Sequence, residues 1–540
     1  MDSTQVVIIG GGATGTGILW DLSLRGIKAV LLEKSDIANG ATGRCHGLLH
    51  SGARYVVKDA EAARECVLEN RIIKQIAPHC VHDVGGIFVK YPQDDPAYFA
   101  QWEQASEKVG LPTKRLSTDE VLEMEPNLPK GILGAFTCAD AHIDVFQLTL
   151  ANVTAAVSLG AGLRTCSEVT AINIEDGRVR SVDYSDTRTG EINRIRCEIV
   201  VNASGGWAQK VAALAGIEVP VRCDKGSLLV FNHTLVSRVV NRCRKPGDAD
   251  LVVPSGPVCL LGTSSKTVPG PEGLTADDAE IDYLRDLGIE LIPALAEARI
   301  LRIFSGVRPL YIPKDAGSAG GREISRAFAL LDHENLNELG GFVSIVGGKL
   351  TTYRLMAEVT SDLVARKLGN DRPCSTATKP LRALIDAQTL NRARRILPPQ
   401  AAAIAERRLG PALGQIVRII EAHQEMAEIV CECEQVTRAE IDYVLGDDYP
   451  APIRGISDLG RRTRLGFGPC QGTFCGYKAM LAGFRSGQWS ADEAADEFSR
   501  YLDERWKGQD FVHRGKQIEQ LYLSQNLFGV TYNFHAGQEE

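Results

Sequence analysis

Residues 5–33 read QVVIIGGGATGTGILWDLSLRGIKAVLLE, and this stretch decides the fold of the N-terminal part of the chain. A short apolar run is followed by a glycine-rich segment, a helical pattern and a second apolar run, which predicts a strand, a helix and a parallel strand. Gly10 and Gly12 allow a tight turn against a pyrophosphate, and Gly15 allows the helix to pack on the strand. Glu33 ends the second run and is placed to accept a hydrogen bond from a ribose hydroxyl. The unit therefore predicts a dinucleotide site, for which NAD and FAD both remain open at this point.

Three later segments rich in small residues favour FAD. Residues 38–55 (ANGATGRCHGLLHSGARY) form a loop through which the backbone can pass close beside a large cofactor. Residues 200–207 (VVNASGGW) and 345–354 (IVGGKLTTYR) each run from an apolar strand into a glycine turn. The second of these turns opens a helix, whose N-terminal amides suit an anionic group of a cofactor.

Four cysteines near the C-terminus form two close pairs, Cys431 with Cys433 and Cys470 with Cys475. Thiolates are soft ligands, and two such pairs brought together by folding can supply the four sulfurs of a [2Fe–2S] centre. A structural zinc site and a redox disulfide are the alternatives. The remaining cysteines are scattered singly, which is typical of buried thiols in a reducing compartment.

The composition excludes several classes of function. The chain has 540 residues with 44% hydrophobic and 24% charged residues, which is ordinary for a globular protein. A net charge of −8 argues against a basic surface for nucleic acid or for acidic lipid. No apolar run approaches the ~18–20 residues that span a bilayer, and the N-terminus enters a strand with no room for a signal peptide. We therefore expect a cytoplasmic protein that does not itself cross a membrane.

Five short motifs resemble those of a known family. GATGR, HGLLHSGARY, SGVRPL, ISR and GGKLTTYR occur in an order that resembles the FAD-dependent glycerol-3-phosphate dehydrogenases of the D-amino-acid-oxidase-like superfamily, over residues 1 to about 370. The cysteine region resembles the bacterioferritin-associated-ferredoxin-like [2Fe–2S] fold. The resemblance implies an α/β chain with a Rossmann-like FAD-binding fold, an α+β substrate part, and a small, mostly helical C-terminal [2Fe–2S] domain.

The resemblance also implies a set of residues in contact with FAD. In this family the helix after the last glycine turn points at the flavin pyrimidine, and a lysine at its start adds a full positive charge. Besides the glycines and the glutamate of the first unit, the predicted FAD-binding residues are Thr42, Gly43, Val169, Ala203, Gly205, Trp207, Gly348, Lys349 and Thr351.

Oxidation of a secondary alcohol by a flavin needs a group that takes the hydroxyl proton and fixed positive charge for a substrate anion. His50 is the candidate base, because an ordinary histidine pKa near ~6.5 suits proton transfer at neutral pH. His46 in the same loop is the alternative. The family pattern predicts catalytic roles for His50, Arg308 and Lys349, and it predicts substrate binding by His50, Arg54, Tyr55, Arg308 and Arg326.

The chain divides into four predicted regions. Residues 1–370 form the FAD-dependent oxidoreductase, with FAD-binding and substrate parts interleaved, and 371–425 form a linker with short helices. Residues 426–490 form the [2Fe–2S]-binding domain, and 491–540 form a C-terminal helical tail.

Two features of the C-terminal regions leave alternatives open. Arg461, Arg462 and Arg464 are expected to form a solvated or partner-facing patch, with stabilisation of a reduced cluster as the other reading. The tail either packs back on the body or docks onto a partner protein.

The function implied by the resemblance is oxidation of sn-glycerol 3-phosphate to dihydroxyacetone phosphate through FAD. Electrons would pass through the [2Fe–2S] centre to a flavin-binding subunit, in which FMN is possible, and an iron–sulfur membrane-anchor subunit. Quinone would be the acceptor, in anaerobic respiration, with the chain held peripherally on the inner face of the cytoplasmic membrane by its partners. An amine or amino-acid dehydrogenase on the same fold and a non-catalytic electron-transfer module are the alternatives.

Overall fold

The glycine-rich segment at residues 10–12 joins the first buried strand to the first helix in a computed structural model. The structure describes residues 2–312, 327–507, 509–513 and 515–532.

The described strands, in chain order, are β1 (Asp2–Ser3), β2 (Val6–Ile9), β3 (Ala29–Leu32), β4 (Leu48–Leu49), β5 (Val81–His82), β6 (Gly86–Val89), β7 (Arg115–Leu116), β8 (Ala135–Cys138), β9 (Ala141–Ile143), β10 (Gly162–Arg164), β11 (Ser167–Glu175), β12 (Arg178–Asp186), β13 (Ile192–Arg196), β14 (Ile199–Asn202), β15 (Val221–Phe231), β16 (Val239–Arg242), β17 (Leu251–Ser255), β18 (Val258–Gly262), β19 (Lys266–Val268), β20 (Ile300–Tyr311), β21 (Phe328–Asp332), β22 (Phe342–Gly347), β23 (Ile429–Cys431) and β24 (Val436–Thr437).

The described α-helices, in chain order, are α1 (Ala13–Leu24), α2 (Ala60–Ile76), α3 (Pro96–Lys108), α4 (Thr118–Met124), α5 (Val145–Val157), α6 (Ala208–Ala213), α7 (Asp278–Leu291), α8 (His333–Asn337), α9 (Tyr353–Lys367), α10 (Ala387–Ile396), α11 (Pro399–Leu409), α12 (Leu413–Ala422), α13 (Arg438–Leu445), α14 (Ile456–Thr463), α15 (Gly476–Arg485), α16 (Ala491–Trp506), α17 (Gln509–Val512) and α18 (Lys516–Tyr532).

A six-stranded sheet carries the N-terminal part, in the order β10-β3-β2-β14-β22-β21. Its strands are parallel except for β21, which runs antiparallel to β22. Strand β2 is apolar and fully buried because α1, α5 and α9 cover one face of the sheet and β11–β13 cover the other. The strand–helix–strand unit predicted from the first motif is therefore present, and it places the glycine turn at the carboxyl end of β2.

A larger, mostly antiparallel sheet follows the order β19-β15-β18-β17-β16-β6-β8-β7, with β20 paired to β15. Strands β15 and β20 are the long members, at 11 and 12 residues. Helix α7 packs on this sheet through Ile281 and Leu284, which are buried with the strand residues Leu229 and Leu261. The pairing of β15 with β20 sets Asp224 directly opposite Arg308.

The residues after 370 form two helical clusters. Helices α10, α11 and α12 share an apolar core that includes Ala405, Ile416 and Val417. Helices α13 to α16 surround a second core, in which Phe498 and Tyr501 of α16 lie beside Cys475. The bounds of the four predicted regions stay predictions.

Buried ion pairs join the second helical cluster to the N-terminal part of the chain, and they correct the expected solvated arginine patch. Arg462 contacts Asp36 at 2.6 Å, and their side chains are 0% and 4% exposed. Arg461 also pairs with Asp36, at 3.1 Å. Arg464 bridges Asp144 of the N-terminal part to Glu434, which lies beside the cysteines. The arginines face inward because each meets a carboxylate from another part of the chain, which their sequence spacing does not reveal.

The C-terminal tail also packs back on the body. Val512 belongs to the apolar core beneath the larger sheet, and the ring of His513 lies 3.2 Å from the carbonyl oxygen of Leu301 in β20. Across the described part of the chain, none of the helices combines the length and the apolar character that a bilayer crossing requires.

The first prediction concerns the ion pair between Asp36 and Arg462. Burial alone would raise the pKa of Asp36, but the guanidiniums of Arg462 and Arg461 hold it below the ordinary value, so the carboxylate is charged at neutral pH. Asp36→Asn leaves Arg462 buried with its counter-charge removed, and it should lower the free energy of unfolding by about 3–5 kcal/mol. Chemical denaturation measures the loss of unfolding free energy. Limited proteolysis beyond residue 425 reports on the C-terminal region during the same experiment.

Asp83→Asn is the matched control for this prediction. Asp83 pairs with Lys74 but is 60% exposed, so the same change should cost only about 0–1 kcal/mol. Equal effects of the two variants would show that the Asp36 pair does not hold the C-terminal region in place.

Candidate active site

A cavity of about 660 Å³ opens at the carboxyl ends of the parallel strands and extends to the larger sheet. Its walls come from the glycine turn after β2, the loop 39–55, the turn after β14, strand β20 and the turn after β22. A ligand site at this edge is what the parallel sheet favours.

The dinucleotide end of the cavity is shaped by glycines. Gly10 has φ +113°, and a Cβ there would lie 2.7 Å from the carbonyl oxygen of Ala203. A Cβ on Gly15 would overlap the carbonyl oxygen of Gly10, so α1 can approach the turn only with glycine at this position. The N-terminus of α1 has no side-chain cap of its own, and the amide of Ala13 donates to Thr42 Oγ1 at 3.0 Å. This turn has the shape and the partial positive charge that a pyrophosphate requires.

Glu33 lies at the rim of this turn. Its carboxylate accepts from the amides of Gly11 at 2.7 Å and Ser35 at 2.9 Å, and burial raises its pKa. A carboxylate accepts about four hydrogen bonds, so these two leave capacity for a ribose hydroxyl.

Most of the predicted FAD-binding residues line this one cavity. They are Gly10, Gly12, Glu33, Thr42, Val169, Ala203, Gly205, Trp207, Gly348 and Lys349.

Three predicted FAD-binding residues are outside the cavity lining. Gly15 packs α1 against the turn, as its position in the motif predicts. Gly43 is fixed by packing, since a Cβ there would lie 2.8 Å from the ring of Phe146. Thr351 is fully buried, and its hydroxyl accepts from the amide of His50 at 2.9 Å. These residues support the cavity wall from behind.

The turn after β22 brings a buried lysine to the cavity. Gly347 and Gly348 have φ values of +81° and +78°, which glycine adopts without strain. Lys349 follows them, and its side chain is only 4% exposed. Its Nζ lies 3.4 Å from the carboxylate of Glu65 and 5.5 Å from the ring centre of Tyr55. The charge is therefore held at the cavity by a paired carboxylate.

The two candidate bases occupy different environments in the same loop. The rings of His46 and His50 have centres 6.2 Å apart, and the ring of His50 also lies 5.4 Å from that of Tyr55. Burial, together with the positive charges of Arg308 and Arg54, lowers the pKa of His46 to about 3. His46 is therefore a weak proton acceptor at pH 7.

The predicted substrate arginines line the cavity, each beside a buried carboxylate. Arg308 donates to Asp224 at 2.6 Å and to the carbonyl oxygen of Ser264 at 3.0 Å. Its guanidinium lies against the backbone of β15 at Gly226. A Cβ on this glycine would be only 2.5 Å from Arg308 Nη2, so the close approach requires glycine. Arg326 lies outside the described residues.

Arg54 forms the second positive group. It donates to Asp250 and to the carbonyl oxygen of Gly247, each at 3.3 Å. Arg244 pairs with the same Asp250 at 2.8 Å, so two guanidiniums share one carboxylate. The group keeps a net positive charge beside the cavity.

The sequence did not reveal the partner carboxylates. Asp224, Asp250 and Glu65 lie 84, 196 and 284 residues from Arg308, Arg54 and Lys349, and an isolated carboxylate gives no signal of such a pairing. Gly226 does give a weak signal, since a lone glycine inside a strand favours close approach by another group.

The four C-terminal cysteines come together in the structure. A hydrogen bond with the Cys475 thiol lowers the pKa of Cys470 to about 5 and that of Cys431 to about 7. Burial raises the pKa of Cys433 to about 11, and Cys470 lies beside it. No three or more His, Cys, Asp or Glu side chains are arranged to hold a metal ion in the ranges that the structure describes.

Tyr501 lies beside these thiols. Its hydroxyl is buried and has no hydrogen-bond partner among the described residues, and it shares its surroundings with Cys431, Cys470 and Cys475. A Cβ on Gly472 would overlap this hydroxyl, so the loop at Gly472 packs tightly against the phenol. The hydroxyl is therefore a buried hydrogen-bond donor without an acceptor among the described residues.

The chain is similar in sequence to known proteins over nearly its whole length. The family model described as "FAD dependent oxidoreductase" matches residues 5–354. The chain is 42% identical over 537 residues to the A subunit of the anaerobic glycerol-3-phosphate dehydrogenase of Escherichia coli (strain K12), covering 98% of this chain and 97% of that one. It is 40% identical over 543 residues to the A1 subunit of the anaerobic glycerol-3-phosphate dehydrogenase of Haloferax volcanii, covering 98% and 91%.

Solved structures confirm the predicted FAD-binding fold of the oxidoreductase part, while the C-terminal [2Fe–2S] domain stays a prediction. The glycerol-3-phosphate dehydrogenase from Bacillus halodurans complexed with FAD matches with a TM-score of 0.68 at 21% identity, covering 94% of this chain and 95% of that one. Glycine oxidase from Geobacillus kaustophilus matches with a TM-score of 0.57 at 22% identity, covering 72% and 100%.

Proposed function

The chain belongs to the FAD-dependent oxidoreductases and, within them, to the family of anaerobic glycerol-3-phosphate dehydrogenase A subunits, and from this we propose that it oxidises sn-glycerol 3-phosphate to dihydroxyacetone phosphate. The observation that carries the proposal is that one cavity is lined by the glycine turn, a candidate base and cations suited to a phosphate monoester. The glycine oxidase match bears on fold alone, so nothing favours the amino-acid alternative.

Arg54 and Arg308 bind the substrate phosphate in this proposal, with Arg326 and Tyr55 as further substrate contacts. A guanidinium presents planar donors that match phosphate oxygens. The net positive charge of the group around Asp250 supports this role, because a dianion gains from uncompensated charge. The pairing of Arg308 with Asp224 fixes the direction of its fork before substrate arrives.

His50 takes the hydroxyl proton of the substrate in this proposal. Thr351 holds the backbone of His50 in place, and the ring of Tyr55 limits where the imidazole can turn. Bound FAD supplies the hydride acceptor. Lys349 keeps a positive charge at the same cavity, which favours negative charge that develops beside it.

The FAD-binding residues predicted from the sequence remain assignments of this proposal. Their support is the steric cradle at Gly10 and Gly12, the N-terminus of α1, and the acceptor capacity of Glu33. Gly15, Gly43 and Thr351 act by supporting that cradle.

The proposal extends to a [2Fe–2S] centre held by Cys431, Cys433, Cys470 and Cys475. Four thiols suit this group. The Tyr501 hydroxyl beside them has no hydrogen-bond partner among the described residues, and it could donate a hydrogen bond to a sulfur atom of the cluster. The centre supplies a one-electron carrier when bound. A zinc ion at the same thiols is the alternative.

Partners complete the proposed electron route. The names of the relatives describe one subunit of a larger enzyme, which supports an assembly of several different chains. We propose a flavin-binding subunit, with FMN possible, and an iron–sulfur membrane-anchor subunit that delivers electrons to quinone. The chain would then lie peripherally on the cytoplasmic face of the membrane.

Gly226→Ala tests the phosphate role of Arg308 without removing its charge. The added methyl group would lie 2.5 Å from Arg308 Nη2, so the guanidinium must move. Loss of charge-assisted hydrogen bonds of ~1.5–3 kcal/mol should raise KM for glycerol 3-phosphate by roughly 10- to 150-fold, with FAD content unchanged. Gly131→Ala, where a Cβ meets nothing within 4 Å, is the control. A normal KM in Gly226→Ala, or loss of FAD instead, would contradict the role.

His50→Gln tests the base. Single-turnover reduction of bound FAD by glycerol 3-phosphate should slow by about 10²–10⁴-fold, which is typical for loss of proton transfer. His46→Gln is the same change in the same loop, and it should slow the step far less because His46 is a poor base. If His46→Gln slowed FAD reduction and His50→Gln left it at the wild-type rate, His46 would be the base instead of His50.

Cys470→Ser tests the cluster. The intact chain, purified without oxygen, should contain about two irons and two acid-labile sulfides, and the variant should lose both while glycerol 3-phosphate still bleaches its FAD. Cys374→Ser, a change at a half-buried thiol outside the set, should keep the iron. One zinc and no sulfide per chain would instead make the region a structural zinc site.

A further inference from the structure

A second cavity, of about 210 Å³, lies where three parts of the chain meet. Its walls come from the loop 38–47, from strands β15, β18 and β20, and from the C-terminal helices α14 and α16. Its lining within the described residues includes neither Arg54 nor Arg308, and none of the four paired cysteines. The loop 38–47 lies between the two cavities, and Asn39, Arg44, Cys45 and His46 line both of them.

Five arginines line this second cavity, and two of them have carboxylate partners. Arg461 pairs with Asp36, and Arg464 pairs with Asp144. The three that remain are Arg44, Arg302 and Arg505.

These three arginines form no ion pair with a carboxylate in the part of the chain that the structure describes. Arg44 Nε donates to the carbonyl oxygen of Asn39 at 3.2 Å. Arg505 lies 3.5 Å from the amide oxygen of Gln471 and packs over two aromatic rings. Arg302 lies 5.9 Å from the ring centre of Phe304. Glu504 also lines the cavity and offsets part of this charge, but the three guanidiniums together remain in excess over it.

Arg302 shows the lack of partners most clearly among the three arginines. Its Nε is buried and has no hydrogen-bond partner among the described residues. Burial, followed by the positive charges of Arg505 and Arg44, lowers its pKa to about 10, although Glu504 acts in the opposite sense. A buried donor without an acceptor is unfavourable, and an anion in the cavity would relieve it.

We propose that this second cavity binds a small phosphate-type dianion, either inorganic phosphate or the phosphate group of a monoester. Arg44, Arg302 and Arg505 line one cavity, and each guanidinium presents planar donors that match the oxygens of a tetrahedral anion. Apolar walls at Val258 and Phe304 leave room for a short carbon chain.

The bound anion would join three separate segments. Arg44 belongs to the loop beside the FAD site, Arg302 to strand β20, and Arg505 to helix α16. Without an anion, these like charges repel one another across the junction. Occupancy therefore stabilises the contact between the C-terminal region and the rest of the chain.

Isothermal titration of the full-length holoenzyme with inorganic phosphate, at constant ionic strength, tests the site. Arg302→Met should weaken this binding by about tenfold or more, the loss expected for a charge-assisted hydrogen bond. Arg308→Met should keep it, because Arg308 lines the other cavity. Arg395→Met, at an exposed position of α10, is the matched control and should bind as the wild type does.

Titrating Arg308→Met with sn-glycerol 3-phosphate distinguishes the two sources of the anion. Tighter binding than inorganic phosphate identifies a monoester ligand, and weaker binding identifies free phosphate. A double variant, Arg302→Met with Arg308→Met, should then bind neither inorganic phosphate nor sn-glycerol 3-phosphate. Its loss of binding would assign the ligand seen with Arg308→Met to the second cavity.

A measurement on the wild type does not depend on whether a variant folds. Phenylglyoxal modifies arginine, and peptide mass spectrometry reports the rate at each site. Phosphate should slow modification of Arg302 and Arg505 but not of Arg395. Equal modification with and without phosphate, or equal phosphate binding by the wild type and Arg302→Met, overturns the proposal.

Discussion

A charge that leaves water must meet an opposite charge, and this constraint shapes both the substrate cavity and the junction with the C-terminal region. Arg308 lies against Asp224 in the cavity, and Arg462 lies against Asp36 at the junction, where both carboxylates are at most 4% exposed. The first pair links two neighbouring strands of the larger sheet, and the second joins segments that are remote in the chain. The geometry of the site therefore follows from which carboxylates are buried, as much as from the cations themselves.

The sequence predicts the first strand–turn–helix well because its determinants are local. Gly10 and Gly15 lie five residues apart, and both the left-handed turn and the close helix approach depend on that short segment alone. The same reasoning applies to the turn at Gly347 and Gly348. The residues that these turns present to the cavity could thus be named from motifs, although their contact with a cofactor stays a prediction.

The ion pairs could not be predicted because their partners are remote. Arg308 and Asp224 are 84 residues apart, Lys349 and Glu65 are 284 apart, and Arg462 and Asp36 are 426 apart. Only the tertiary fold brings such residues together. This is why the expectation of a solvated arginine patch is wrong, since three closely spaced arginines resemble a surface run until their carboxylates are known.

The same constraint separates the two cavities by the kind of recognition each can offer. In the substrate cavity, the carboxylate of Asp224 cancels much of the charge of Arg308 but fixes the direction of its donors. Arg308 therefore contributes selectivity for the position of an anion more than attraction, and the group around Asp250 supplies the attraction in this cavity. In the second cavity, Arg302 has charge without a fixed partner among the described residues, so attraction dominates and an anion there would act as a structural counter-ion. A molecule that carries the same phosphate group could therefore turn over at one cavity and remain bound at the other.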